Sequence, residues 1–138
     1  MKTTEIARKL REHDLKVTPQ RLKIVESLNT FGHLNIDMLY SEVKSVYPNV
    51  SLATVYKNLS IMTQNGLLTE VKIPETKSVF EVTKEPHLHL HCRLCDEVSD
   101  IMIDISGIEK SAEEKSGYRI ESTSTVMHGV CPACRKAG

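Results

Sequence analysis

Four cysteines stand in two Cys-x-x-Cys pairs, Cys92 with Cys95 and Cys131 with Cys134, and they are all the cysteines of the chain. Each such turn can bring two sulfurs onto one cation, and two turns complete a tetrahedral site. The 35 residues between the pairs exceed the usual ribbon spacing, so a small β/α element must fit there. A single pair would leave dithiol redox chemistry open. Two pairs that use every cysteine point to a structural Zn(2+). A second cluster lies just upstream. His87, His89 and His91 alternate, so on a strand they share one face. Glu81 precedes them and Asp100 follows. Nitrogen and carboxylate donors without a thiolate suit Fe(II), Mn(II), Ni(II) or Zn(II). His91 abuts Cys92, whose side chain must point elsewhere, and it is not counted among the ligands. His33, in Phe31-Gly32-His33-Leu34, reads from the sequence alone as a loop histidine.

The first half of the chain must be helical. Thr3 or Thr4 is placed to cap a helix carrying Ile6, Ala7 and Leu10. Thr18-Pro19 pairs a capping hydroxyl with a proline at the first helical position, ahead of Leu22, Val25 and Leu28. Asn35 caps a third helix with Ile36, Leu39, Tyr40, Val43 and Val46 inward, and Pro48 stops it. Ser51 caps a fourth, where Leu52, Val55, Tyr56, Leu59 and Met62 recur at helical spacing and Gly66 ends the run. Residues 67–73 and 78–82 then read as strands joined by Pro74-Glu75-Thr76-Lys77. Three helices and a hairpin in this order predict a winged helix-turn-helix. A plain helical bundle with an appended hairpin is the competing reading.

A polar stretch, 83–86, marks a domain boundary. Beyond it, residues 87–93 and 98–105 read as strands, 106–116 as a helix ended by Gly117, and 118–126 as a third strand. The fold class is α+β: residues 1–82 a winged-helix domain of a kind that binds DNA, 87–138 a small α/β unit stabilised by zinc. So small a unit needs a metal or a partner for stability.

Composition narrows the choices. With 40% hydrophobic residues, 4% aromatics and no Trp, the cores must be aliphatic. Net charge is zero, so a nucleic-acid surface must be local. The first 23 residues carry +4 and the remaining 115 carry −4, which fits a basic module joined to something else. No run of about 18 apolar residues occurs, so no membrane helix is expected. The N-terminus lacks a signal-peptide core, so a cytoplasmic protein is expected, where cysteines serve metals more often than disulfides.

Taken together, Val17-Thr18-Pro19-Gln20-Arg21, the stretch from His33 to Tyr40, Ser51-Leu52-Ala53-Thr54-Val55-Tyr56-Lys57-Asn58-Leu59, Gly66-Leu67, His87-x-His89 and both cysteine pairs resemble the ferric uptake regulator family of bacterial repressors. The similarity runs from Leu15 to Cys134. It implies a winged-helix domain, a hinge and a dimerisation domain, hence a homodimer on double-stranded operator DNA. It also implies a regulatory Fe(2+) or Mn(2+) held by His33, Glu81, His87, His89 and Asp100, which gives His33 a role that spacing does not. Asp100 resembles the peroxide-sensing branch, Glu81 the iron sensors, and His91 leaves a nickel-type site open. Val130 stands where many members carry a further histidine. On the expected recognition helix, Ser51, Thr54, Tyr56, Lys57 and Asn58 are candidates for DNA contact, with Lys16 and Arg21 on phosphates. A metalloenzyme with an open His/carboxylate site is the competing class. It would leave the recognition-helix motif without a role, and the sequence shows no placed general base, so no enzyme is expected.

Overall fold

Helix α1 (Thr3–Glu12) begins without a side-chain cap. Lys2 is its N-cap residue, and Thr3 and Thr4 already lie inside the first turn, so neither hydroxyl fills the expected role. The helix is held by burial of Ile6 and Leu10 on one face. This and the rest of the description come from a computed structural model, which describes residues 1–137.

The next three helices start at their expected caps. The Thr18 hydroxyl accepts from the Arg21 amide at 3.3 Å, and Pro19 opens α2 (Pro19–Phe31). Asn35 accepts from the Met38 amide at 2.9 Å to start α3 (Ile36–Lys44). Ser51 accepts from the Thr54 amide at 3.1 Å to start α4 (Leu52–Gln64). Each cap satisfies an orphan donor of the first turn and is worth about 1 kcal/mol. Two residues expected inward are not. Val46 is half exposed because α3 ends at Lys44, before reaching it. Leu52 is exposed because it precedes the buried stripe of Val55, Leu59 and Met62.

Gly32 ends α2 with φ of +85°, a backbone conformation that costs a side-chain-bearing residue. The turn delivers β1 (Leu34–Asn35), a two-residue strand. It joins the hairpin of β2 (Leu68–Val71) and β3 (Val79–Val82) in an antiparallel sheet of order β1-β3-β2. Ile6, Leu10, Ile24, Leu28, Leu39, Val43, Val55, Leu59, Met62 and Leu68 are all nearly inaccessible and, with Phe80, tie the helices to the sheet. The core is aliphatic, as the composition requires.

The chain divides into two compact units between Lys84 and Glu85. The second contains β4 (Leu88–Cys92), β5 (Val98–Ile101), α5 (Ser106–Ser116), β6 (Val126–Gly129) and α6 (Pro132–Ala137). The sheet order is β5-β4-β6, antiparallel on the β5 side and parallel on the β6 side. The third strand is shorter than expected. Residues 118–125 have no ladder partner among the described residues, and a strand needs one. They are tethered to α5 instead: Glu113 accepts from the Ile120 amide at 2.9 Å and Glu109 from the Thr123 hydroxyl at 2.5 Å. Strand β5 stops at Ile101, and Asp104 then accepts from the Ser106 amide at the start of α5. No helix among the described residues is long and apolar enough to cross a membrane.

Leu59 is 1% exposed at the centre of the first unit's core. Leu59→Ala should cost about 2–5 kcal/mol, read as a lower urea midpoint for loss of helical circular dichroism, with metal content per folded chain unchanged. An unaltered midpoint would contradict this packing.

Candidate metal centres and nucleic-acid interface

The four cysteine sulfurs lie within 4.8 Å of one another. Cys92 closes β4, Cys95 follows a turn, and Cys131 and Cys134 flank the start of α6. The β4–β6 register sets Cys92 opposite Gly129, two residues before Cys131. The Cys95 and Cys131 sulfurs are 3.9 Å apart. A tetrahedral zinc with bonds of about 2.3 Å needs sulfurs about 3.8 Å apart, whereas a disulfide needs about 2 Å. The donor set therefore fits zinc. The Cys131 amide donates to the Cys92 sulfur at 3.3 Å, and this and further backbone donors hold the Cys92 thiol down to about 6. Cys134 is pushed up to about 12 by its hydrogen bonds with the Cys131 and Cys92 sulfurs. Against a lowering hydrogen bond from the Glu97 backbone, Cys95 is raised as well, by the Cys92 sulfur, by burial and by the Cys131 sulfur together. The Cys92 thiolate forms readily, whereas neighbouring sulfurs oppose ionisation of Cys95 and Cys134 until a cation neutralises the charge.

In the first unit, His33 and Glu81 meet. The β1–β3 register pairs Leu34 with Phe80 and Asn35 with Val79, so His33 falls opposite Glu81. The His33 Nε2 is 2.8 Å from a Glu81 carboxylate oxygen, and both side chains are more than nine-tenths buried. A buried carboxylate needs such a partner or a cation.

In the second unit, three donors converge. His89 on β4 stands opposite Asp100 on β5. His87 Nδ1–H donates to the Glu85 carbonyl at 2.8 Å, which fixes the tautomer and turns Nε2 toward His89 Nε2, 2.9 Å away. The Asp100 carboxylate lies 3.3 Å from His87 Nε2 and 3.6 Å from His89 Nε2. Bonds of about 2.1 Å in an octahedron put adjacent donors about 3 Å apart. Two imidazoles and one carboxylate on one face suit Fe(II) or Mn(II) and leave coordination positions open.

His91 does not join that set, although alternation gives it the same strand face as His89. Its Nδ1 is 2.9 Å from His128 Nδ1, and its Nε2 is 2.9 Å from Asp96 Oδ1. His128 gives no sequence signal, because its position depends on a parallel pairing 37 residues away.

On the first unit, α4 presents a continuous exposed surface. Ser51, Thr54, Tyr56 and Lys57 are exposed, and Asn58 is half-buried, while Val55 and Leu59 face inward. Tyr56 is 61% exposed, so its ring does not pack inward. The Ser51 hydroxyl is also 2.9 Å from that of Thr54. Arg21 Nε donates to Asn58 Oδ1 at 3.0 Å and its Nη1 to the Lys16 carbonyl at 3.0 Å. The structure thus links Lys16, Arg21 and Asn58 at one edge of that surface, with the Lys16 side chain exposed.

Residues 12–131 match the family model described as the Ferric uptake regulator family. The Peroxide operon regulator of Bacillus subtilis (strain 168) is 31% identical over 129 residues, covering 92% of this chain and 89% of that protein. The crystal structure of the Campylobacter jejuni peroxide stress regulator superposes with a TM-score of 0.75 at 34% identity, covering 94% of this chain and 98% of the other. The ferric uptake regulator of Vibrio cholerae gives 0.76 at 32% identity, over 91% and 98%. Its sequence match and its architecture agree: the chain is a member of the ferric uptake regulator family of metal-dependent transcriptional regulators.

Proposed function

We propose that the protein is a homodimeric repressor that binds double-stranded operator DNA when Fe(2+) or Mn(2+) occupies a site made of His33, Glu81, His87, His89 and Asp100. The observation that carries this reading is the convergence of His87, His89 and Asp100, a nitrogen/oxygen donor set with open positions. Neither that triad nor the His33–Glu81 pair completes an octahedron. One cation shared by both would couple ligand binding to the orientation of residues 1–82 against residues 87–138 about the 83–86 hinge. Only an orientation that reaches both half-sites of an operator binds it tightly, so metal shifts the population toward DNA binding.

Zinc on Cys92, Cys95, Cys131 and Cys134 is the structural complement. Among the described residues of the second unit, the hydrophobic side chains buried to the level of a core are Leu88 and Cys92. Helix α5 buries none of its residues, and Met102, Ile103, Ile108 and Tyr118 are all about half exposed or more. So much apolar surface on so small a unit favours a second copy of the chain as its cover.

Asp100 favours peroxide sensing. Bound ferrous iron would supply reductive cleavage of peroxide. The imidazoles of His33 and His87 would then take up the oxygen close to where it is released. The engagement of His91 with His128 and Asp96 weighs against a nickel reading of the regulatory site. Iron sensing without peroxide chemistry is the second reading, favoured by Glu81.

Cys95→Ser should yield protein without zinc that is monomeric or partly unfolded; a stable zinc-free dimer by light scattering would remove zinc from the fold. Zinc uptake by the reduced apoprotein should release the protons of Cys95 and Cys134, whose raised values keep them protonated near neutrality. Zinc affinity should therefore fall as pH falls, measured by calorimetry in buffers of different ionisation enthalpy.

His89→Ala should lose metal-dependent operator binding in gel shifts yet keep its zinc and its dimer. Persistence of the metal response would place the sensor elsewhere. Lys57→Ala should weaken operator binding and lower the salt slope by about one if the amine meets a phosphate. Unchanged affinity in both Lys57→Ala and Thr54→Ala would argue against α4 as the reading helix. In the iron form, equimolar peroxide should add one oxygen to a peptide carrying His33 or His87 and abolish DNA binding, while the manganese form resists. Intact histidines with DNA binding retained would select plain iron sensing.

A further inference from the structure

The second unit holds another pair of imidazoles outside both centres described above. His91 on β4 and His128 on β6 are cross-strand partners in the parallel ladder. Their Nδ1 atoms face each other at 2.9 Å with the rings nearly perpendicular, 86° between planes. His91 is 7% exposed, whereas His128 is open to solvent. Both line a cleft of about 190 Å³ whose wall also includes Glu97 and Ser99.

The protons of this pair are constrained. Asp96 accepts from His91 Nε2–H at 2.9 Å, so His91 Nδ1 carries a lone pair directed at His128. Asp96 holds this position at φ of +60°, a left-handed conformation that aspartate adopts more readily than most residues with a side chain but less readily than glycine. Glycine would adopt it without strain, but glycine has no carboxylate to orient His91. Outer carboxylates on imidazole ligands do this work in metal sites.

We propose that His91 Nδ1 and His128 Nδ1 form a binding site for a divalent late transition ion, with Asp96 as the positioning residue. At metal–nitrogen bonds of about 2.05 Å, donors 2.9 Å apart subtend about 90° at the ion. That is the angle between neighbouring ligands in square-planar or octahedral coordination, whereas a tetrahedral ion needs donors about 3.3 Å apart. Nickel(II) and copper(II) take such geometry with imidazole. Without the ion, one Nδ1 must carry a proton for the other to accept, and His91 is committed by Asp96, so His128 is the donor. Ion binding moves that proton to His128 Nε2, a change of tautomer that solvent can mediate and that leaves both rings neutral. Water in the cleft, or the Glu97 carboxylate on its wall, is available for the remaining positions. The ion would pin β4 to β6 beside the cysteine cluster.

The site shares no ligand with the proposed regulatory centre, so the two readings fail separately. The test uses full-length, zinc-loaded protein with His89→Ala, which takes one of the two imidazoles from the competing triad. Calorimetric titration with Ni(II) should find one added equivalent per chain, with zinc retained throughout. Adding His128→Ala or His128→Asn should abolish it or weaken it at least about tenfold; His128 is exposed, so neither change should disturb the fold. Adding Asp96→Asn instead should keep the equivalent but weaken it about 10–100-fold. Asp96→Gly, which relieves the left-handed residue, should weaken it equally even if stability rises. Equal Ni(II) affinity with and without His128, or no added equivalent in the His89→Ala protein, would overturn the proposal.

Discussion

The central strand β4 and its two ladders govern the chemistry of the second unit. A ladder fixes which residues stand opposite one another, and a slip of one residue would turn every side chain to the other face. On one side the ladder sets His89 against Asp100. On the other it sets His91 against His128 and carries Cys92 to within two residues of Cys131. Five successive residues thus contribute one buried leucine and donors to three different clusters. Leu88, 2% exposed, is the one fully buried leucine among them, and Leu90 is only partly buried. Register in this strand is held by few hydrophobic contacts, so the sulfur cluster at its end must carry much of the specification.

That dependence separates the two units physically. The first has a continuous aliphatic core drawn from four helices and the sheet, enough to define its own fold. The second has short strands and a helix with no buried residue. Cross-linking Cys92 and Cys95 to Cys131 and Cys134 through one ion closes a long loop, and closing long loops removes the most entropy from the unfolded chain. A zinc-thiolate cluster and a covering subunit are the two devices that small units use in place of a core, and the proposed function invokes both.

Apart from the cap expected of Thr3 or Thr4, the parts of the fold that depend on local chemistry are legible in the sequence. Thr18, Asn35 and Ser51 cap where they should because a cap needs only residues within one turn. The cysteine pairs were legible because each pair is a single turn. What depends on long-range pairing was not. Strand β1 is two residues long and has no periodicity to detect, yet it alone brings His33 against Glu81. Family resemblance, and not spacing, supplied that pairing. Residues 118–125 alternate like a strand, but propensity cannot supply a ladder partner. His91 shared its pattern with His87 and His89, and only the β6 ladder shows that its partners are different ones.

The two proposed centres differ in donor class, and that difference has a consequence for sensing. Divalent affinities rise from manganese and iron toward copper and zinc for almost any nitrogen or oxygen site. A sensor for a weakly bound metal therefore cannot rely on affinity alone. Thiolates favour zinc strongly, and every thiolate of this chain lies in the one cluster. His87, His89 and Asp100 offer no sulfur, and their spacing is that of octahedral edges. Zinc entering there would lose its preferred tetrahedral shape as well as its preferred ligand. Placing the sulfur in one cluster and withholding it from the other would let a structural ion stay for the life of the fold while a sensing ion exchanged with the cell's supply, and exchange is what a reversible signal requires.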